Sequence, residues 1–171
     1  MARYRIVPER SLLWAEARSS VHPIRVETDG FTGFLELELD GDQLKVDAPV
    51  SGQVELEVDQ LRTGNGLYDR ELERRLEARR YPVIRGEVLG VQAVDGGNRH
   101  RVLGELHFHG ANKRVEGEVT IRASEGGRVI EAEGERTFDI RDYNLEPPKL
   151  LMLRVYPEIK VRGHIVAERE G

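Results

Sequence analysis

Apolar and polar residues alternate along most of this chain, and the alternation predicts β-strands. From Phe31 to Leu39 every second position is apolar or glycine, and Glu36 and Glu38 stand among the positions between. Similar alternation recurs in residues 54–58, 84–90, 104–110, 115–121, 130–134 and 159–165. Successive side chains of a strand point to opposite faces. Each segment therefore has a buried face and a solvated face, as in half-buried antiparallel strands.

Glycines lie in phase with the apolar residues of these segments, on the side expected to be buried. They are Gly86, Gly90, Gly104, Gly110, Gly117, Gly134 and Gly163. Glycine weakens a strand, and inside a sheet it marks bends, bulges or close approaches of another group. Its recurrence predicts a sheet that curves to close on itself, space left free inside that sheet, or both.

Short glycine-rich breaks separate several alternating segments and predict hairpins. They lie at residues 40–42 (Asp-Gly-Asp), 95–98 (Asp-Gly-Gly-Asn) and 125–127 (Glu-Gly-Gly). With strands near residues 4–7 and 12–17, the count reaches roughly eight, the number at which a closed barrel can hold a small ligand. We predict an all-β antiparallel meander that closes into one barrel domain over residues 1–171. A two-sheet sandwich is the alternative.

One segment departs from the strand pattern and predicts a short α-helix. Residues 67–80 are mostly good helix formers, with Leu72 and Leu76 four residues apart. Asn65 can cap the start of the helix. Pro82 ends it, because proline disfavours the helical conformation in the residue before it. The narrow apolar stripe predicts that the helix lies across one end of the sheet.

Composition excludes several classes of function. The 26 Lys and Arg residues are interleaved with 31 Asp and Glu, for a net charge of -5, so no nucleic-acid partner is expected. The absence of cysteine excludes disulfides, thiol catalysis and cysteine-ligated metals. The sequence contains no run of 18 apolar residues, so no membrane span is predicted. The first eight residues carry no apolar signal region, which gives the expectation of a cytoplasmic protein.

His107 and His109 provide the sharpest hypothesis for a metal site. On one strand face this spacing can present two imidazoles to a single ion, with His22, His100 or His164 as a third ligand. The barrel interpretation instead places both histidines in solvent, on the polar face that also carries Glu105. A metal-dependent enzyme therefore stands as an alternative beside a pair of ordinary surface residues.

Catalytic signatures are missing from the sequence. There is no Gly-x-Ser-x-Gly nucleophile elbow, and the glycines at 64 and 66 lack the third glycine of a dinucleotide loop because Asp69 occupies that position. Pairs of carboxylates arise by chance among so many acidic residues. We therefore predict no catalytic residue, no cofactor and no enzyme activity.

The most apolar loop spans residues 145–153, where two prolines precede four hydrophobic residues. Leu151 and Leu153 are expected to enter the core with the last strand. Leu150 and Met152 can instead form a lip at a cavity mouth or a contact in a homodimer. From the alternation, the side chain of Trp14 can lie on either face of its strand.

Several motifs run through the chain in order. They are Thr63-Gly64-Asn65, then Asp69, Leu72 and Tyr81-Pro82-Val83-Ile84, then Leu106, Gly110, Lys113 and Val115 in the pattern Leu-x3-Gly-x2-Lys-x-Val, and finally Arg141-Asp142-Tyr143. In this order they resemble the YceI family, lipocalin-like proteins whose characterised members bind polyisoprenoid and related long-chain lipids. The chain departs from the family pattern at Tyr68, Glu71, Gly86 and Asn144, so it resembles a divergent member.

The resemblance implies a lipocalin-like barrel that binds a polyisoprenoid or related lipid in its lumen, for carriage, storage or sequestration. The lumen would be lined by the inward residues Leu37, Leu56, Val58, Ile84, Gly86, Val88, Leu106, Phe108, Val119, Ile121, Ile130, Phe138 and Val161. Lys113 and Arg141 are possible head-group contacts, because the family pattern has basic residues there. Gly86 stands where relatives tend to carry Phe, which implies a larger cavity. If side chains fill the lumen instead, the barrel is a protein-interaction module.

Overall fold

The computed structural model describes residues 1–147, 149–150 and 152–171. Its strands are β1 (Ala2–Ile6), β2 (Leu12–Ser19), β3 (Ile24–Thr28), β4 (Phe31–Leu37), β5 (Leu39–Asp40), β6 (Gln43–Leu44), β7 (Ser51–Glu57), β8 (Val83–Ala93), β9 (Arg99–Phe108), β10 (Ala111–Ser124), β11 (Val129–Asp139), β12 (Lys149–Leu150) and β13 (Leu153–Arg169). The α-helix is α1 (Gly66–Arg75), and short 3₁₀ helices span Pro8–Arg10, Val58–Gln60, Glu125–Gly127 and Ile140–Tyr143.

The strands close into an eight-stranded antiparallel barrel, as predicted. β1 and β2 pair with successive parts of β13, and β3 and β4 pair with β2 and β1. The wall then continues through β7, β8, β9, β10 and β11, and β11 pairs with the other edge of β13. Because β13 joins both ends of the meander, the sheet closes on itself and the sandwich alternative is wrong.

A bulge in β8 reverses which side chains of that strand point into the barrel beyond it. Val88 pairs with Gly104, whereas Gly90 pairs with Leu103, so the register shifts by one residue between the two pairs. Val91 consequently packs against the core and Gly90 faces outward. The prediction that Gly90 shares the inner face is therefore wrong, because an extra residue in a strand reverses the alternation beyond it.

A two-residue turn ends β9 earlier than the alternation predicts. Phe108 pairs with Ala111, and His109 and Gly110 between them have φ angles of 51° and 77°. Positive φ at both central residues is typical of a tight hairpin turn. Gly110 therefore belongs to this turn and not to the inner face of a strand.

Clusters of buried side chains pack inside the barrel and beside α1. In one of them Tyr4 and Phe31 are each 1% exposed, and the β5–β6 hairpin adds Leu44. A second cluster, beside α1, contains Val58 and Leu76. Both pack against Leu61 and Ile84, so the two clusters are continuous on that side of the barrel.

Helix α1 lies across the second end, as predicted. Leu72 and Leu76 face the cluster there, and the helix is shorter than predicted because Glu77, with φ of 51°, interrupts it. The predicted Asn65 cap is confirmed, since its side chain accepts hydrogen bonds from two N–H groups of the first turn. In the part of the chain that the structure describes, no helix has the length and apolar character to cross a membrane.

Replacing Asn65 by alanine is expected to lower the free energy of unfolding by about 1 kcal/mol. The side-chain oxygen accepts from the N–H groups of Leu67 at 2.9 Å and Tyr68 at 3.2 Å, and alanine leaves both without this partner. Urea unfolding followed by circular dichroism measures the change. Asn65→Asp keeps an acceptor and should retain most of the stability. An unchanged midpoint in Asn65→Ala would contradict the capping role.

Candidate ligand-binding lumen

The side chains predicted to line the lumen lie, with one exception, on the inner face of the barrel wall. They come from seven strands: Leu37 of β4, Leu56 of β7, Ile84, Gly86 and Val88 of β8, Leu106 and Phe108 of β9, Val119 and Ile121 of β10, Ile130 and Phe138 of β11, and Val161 of β13. The exception, Val58, lies in a 3₁₀ helix and packs in the cluster beside α1. Contact of these side chains with a ligand stays a prediction.

The inner face is packed in one part and accessible in another. Leu37, Leu56 and Ile130 are buried in the same cluster as Tyr4 and Phe31. The remaining predicted side chains keep partly exposed surface although they point inward: Ile84, Val88, Leu106, Phe108, Val119, Ile121, Phe138 and Val161. Ile84 and Ile121 among them pack against the same cluster. The inner face is therefore less completely buried at these positions than at Leu37, Leu56 and Ile130.

Gly86, also on the inner face, has open space in front of it. It pairs with Val54 on one side and Leu106 on the other, and a Cβ built on it would meet no atom within 4 Å. Other inner-face glycines differ, because a Cβ on Gly104 would lie 2.8 Å from the carbonyl oxygen of Glu87. Glycine thus permits close strand packing at Gly104, whereas at Gly86 it leaves a void.

Hydrogen bonding between β10 and β11 stops halfway along the two strands. Their pairs run from Ser124 with Val129 to Val119 with Gly134. Beyond that point β10 pairs only with β9, and β11 pairs only with β13. Residues 111–118 of β10 and 135–139 of β11 are therefore neighbours without a ladder. We call this part of the wall the seam.

Arg136 is a charged residue in the inner phase of β11 that is absent from the predicted lining. It alternates with Gly134 and Phe138, and its guanidinium lies 4.5 Å from the centroid of the Phe138 ring. A Cβ built on Gly117 of β10 would lie 3.8 Å from the Arg136 Cδ, so the side chain reaches across the seam. The alternation from residue 130 to 138 already indicated that Arg136 lies in the inner phase.

The two predicted head-group contacts have different surroundings. Lys113 pairs with Leu106 in the inner phase of β10 and is exposed. Arg141 follows β11 and is bound to Asp139, with Nη2 2.6 Å from Oδ2. These hydrogen bonds from Arg141 hold the pKa of Asp139 below its usual range. Arg141 is thus engaged within the protein, and its role toward a head group stays a prediction.

Aromatic rings lie together beside the seam. Tyr143 is 3% exposed, and its ring centroid lies 5.5 Å from that of Phe108 and 6.4 Å from that of Phe138. Burial raises the pKa of Tyr143 above its usual value, and the guanidinium of Arg136 acts in the opposite direction. The seam therefore combines an aromatic surface with a nearby positive charge.

His107 and His109 do not share a strand face, so that premise of the metal hypothesis is wrong. The side chain of His107 lies on the outer face of β9, and its Nε2 is 3.3 Å from Glu105 Oε1. His109 occupies the tight turn, and its Nε2 lies 2.8 Å from Glu77 Oε2. Its Nδ1 lies 3.1 Å from the carbonyl oxygen of Tyr143, so both ring nitrogens have partners. Among the described residues, no group of three or more His, Asp or Glu side chains is placed to hold a metal.

The apolar loop before β13 is described in part. Leu153 is 7% exposed and packs in the core as predicted, whereas Met152 is 95% exposed. Leu151 and the side chain of Leu150 lie outside what the structure describes. Trp14 is on the outer face of β2, where the guanidinium of Arg25 lies 4.3 Å from its ring centroid.

Comparison with known proteins gives a family and a fold. The family model for the YceI-like domain matches residues 4–167. Among curated proteins, none matches the chain in sequence.

Solved structures similar to this chain cover nearly all of it. A polyisoprenoid binding domain from Saccharophagus degradans, implicated in plant cell wall breakdown, has a TM-score of 0.79 and 16% identity, covering 99% of this chain and 100% of that one. BcnA of Burkholderia cenocepacia has a TM-score of 0.78 and 19% identity, covering 94% and 98%. The YCEI protein of Campylobacter jejuni has a TM-score of 0.69 and 13% identity, covering 86% and 85%. At such identities the likeness establishes the fold alone.

Proposed function

Because the chain belongs to the family of YceI-like domains, we propose that it binds a long-chain apolar ligand, a polyisoprenoid or a related lipid, in the lumen of its barrel. One structural neighbour is a polyisoprenoid binding domain, which supports this ligand class. The observation that carries the proposal is the accessible apolar inner face, with open space in front of Gly86.

Burial of the ligand's apolar chain supplies the binding energy in this proposal. A buried CH₂ group contributes about 0.8 kcal/mol, so a five-carbon isoprene unit contributes roughly 3–4 kcal/mol before the costs of association are subtracted. Val88, Leu106 and Val161 offer only apolar side-chain surface to such a unit. Several units in the lumen therefore suffice for binding without a specific polar contact.

The proposed role is carriage, storage or sequestration of this ligand, without catalysis and without a cofactor. The outer-face position of His107 and the turn position of His109 weaken the case for a metal-dependent enzyme. The partly exposed inner face weakens the case for a filled barrel that acts only as a protein-interaction module. A homodimer, a cytoplasmic location and the absence of a nucleic-acid partner stay predictions.

We expect a long-chain lipid to co-purify with the protein at about one molecule per chain. Mass spectrometry of an organic extract of natively purified protein tests this, and stripped protein should then take up added geranylgeraniol in a saturable manner. A clean extract together with no saturable uptake would contradict the proposal. Metal analysis of the wild type and of His107→Ala is the control for the enzyme alternative. Stoichiometric metal that is lost in His107→Ala would overturn a purely binding role.

A further inference from the structure

Three exposed apolar side chains project from elements at one end of the barrel. Met152 is 95% exposed in the turn before β13, Val21 is 73% exposed between β2 and β3, and Leu67 is 54% exposed in the first turn of α1. We call these three residues the apolar tip. Single exposed apolar residues are ordinary, but several that project from one end can form an interaction site.

Contacts between the three elements place the members of the apolar tip at the same end. The N–H of Ser20 donates to the carbonyl oxygen of Arg154, 2.9 Å away, which joins the β2–β3 loop to the start of β13. Tyr68 of α1 packs against the cluster that contains Leu153. Each of these four residues stands one or two positions from a member of the apolar tip.

Basic residues flank the apolar tip. Residues 18–23 and 149–154, which include two of its members, contain three Lys or Arg and no Asp or Glu. The three are Arg18, Lys149 and Arg154. All are exposed, and no carboxylate of the described residues lies within 4.0 Å of their cationic groups. These charges are therefore available to an external anionic surface.

The opposite end of the barrel carries the reverse charge. β4 and β13 run in the same direction, because both pair antiparallel with β1, so the segment after β4 lies at the end away from the start of β13. That segment, residues 38–47, contains four carboxylates and one lysine. Its Val46 is 39% exposed in these acidic surroundings. The two ends thus differ in charge although both expose apolar side chains.

We propose that the apolar tip docks on the surface of a membrane that contains anionic lipids. Apolar side chains insert at the boundary between head groups and acyl chains, and flanking Lys and Arg are attracted by the negative surface. A fluid lipid surface suits side chains that project from three separate elements, because the lipids adapt to each of them. The acidic opposite end then faces away from the membrane. This docking goes beyond the proposed function, since it needs no ligand in the lumen.

Co-sedimentation of stripped protein with vesicles tests this inference. We expect vesicles of phosphatidylcholine with roughly 30% phosphatidylglycerol to bind at least about tenfold more tightly than pure phosphatidylcholine, because the flanking cations act on a negative surface. Met152→Asp and Arg154→Gln should each weaken binding to the anionic vesicles by about fivefold or more. Both side chains are exposed, so we expect both variants to fold.

Val46→Asp and Arg122→Gln are the matched controls, because they make the same charge changes at exposed positions away from the apolar tip. Both should bind anionic vesicles as the wild type does. Equal binding to the two kinds of vesicle, binding to neither, or an equal loss in Met152→Asp and Val46→Asp would overturn the inference. Uptake of geranylgeraniol by the same samples separates the two proposals: uptake without vesicle binding leaves the proposed function standing, and vesicle binding without uptake contradicts the proposed function alone.

Site-specific labelling tests the orientation. The chain has no cysteine, so Met152→Cys and Val46→Cys can each carry one environment-sensitive fluorophore. On anionic vesicles the emission should shift to shorter wavelength at position 152 and stay unchanged at position 46. No shift at position 152, or equal shifts at both positions, would overturn docking through the apolar tip.

Discussion

Replacing Gly86 by phenylalanine is expected to weaken the binding of a long-chain ligand at least about tenfold while the protein remains folded. A Cβ at this position meets no atom within 4 Å, and its φ lies outside the left-handed region, so the backbone accepts a side chain. The ring would occupy space that the ligand needs. Excluding two methylene groups costs about 1.6 kcal/mol, which is more than tenfold in affinity. Saturable uptake of geranylgeraniol and thermal unfolding by circular dichroism measure the two expectations.

Gly90→Phe is the matched control on the same strand. A Cβ at Gly90 also meets open space, but the bulge in β8 places that residue on the outer face. This variant should bind the ligand as the wild type does. If both variants lose binding, the space in front of Gly86 is not where the ligand lies. If Gly86→Phe unfolds, the glycine serves the backbone and not the cavity.

Replacing Gly33 by alanine is expected to lower the free energy of unfolding by about 3 kcal/mol. A Cβ on Gly33 would overlap the carbonyl oxygen of Gln53 on β7 and come within 2.9 Å of the Ile6 Cδ1. A side chain can rotate away from such a contact, but a backbone carbonyl moves only with its strand. The cost therefore falls at the upper end of the range for overpacked cores. Urea unfolding measures it.

Gly86→Ala separates the clash expected at Gly33 from the general effect of adding a methyl group. It should leave the free energy of unfolding unchanged or raise it by up to about 1 kcal/mol, because alanine restricts the unfolded chain more than glycine does. Equal stability of Gly33→Ala and Gly86→Ala would contradict the close approach of β4 and β7 at Gly33.

The barrel could be predicted from the sequence because its main determinant is local. Burial of one sheet face imposes a two-residue period, which is visible wherever a strand such as β7 or β13 runs without interruption. The helix could be predicted for the same reason, since Asn65 indicates where it begins and Pro82 limits how far it can extend. Both features are set by neighbours in the sequence.

The errors arise where one residue changes the phase. The bulge in β8 moves Gly90 to the outer face, and the positive φ of His109 ends β9 before a second histidine can share its face. Neither event alters the pattern of residue types. The His-Gly dipeptide at positions 109 and 110 was the available signal for a two-residue turn.

Arg136 was missed for a different reason. A charged residue is assigned by default to the outer face of the wall, whereas Arg136 is exposed in the inner phase. Only the pairing of β11 with β13, which places Arg136 beside Val161, reveals which side it occupies.

Strand β13 closes this barrel, since one of its edges pairs with β11 and the other with β1 and β2. It is also the last strand along the chain. During synthesis the earlier strands therefore emerge as an open sheet, and the barrel can close only after β13 has been made.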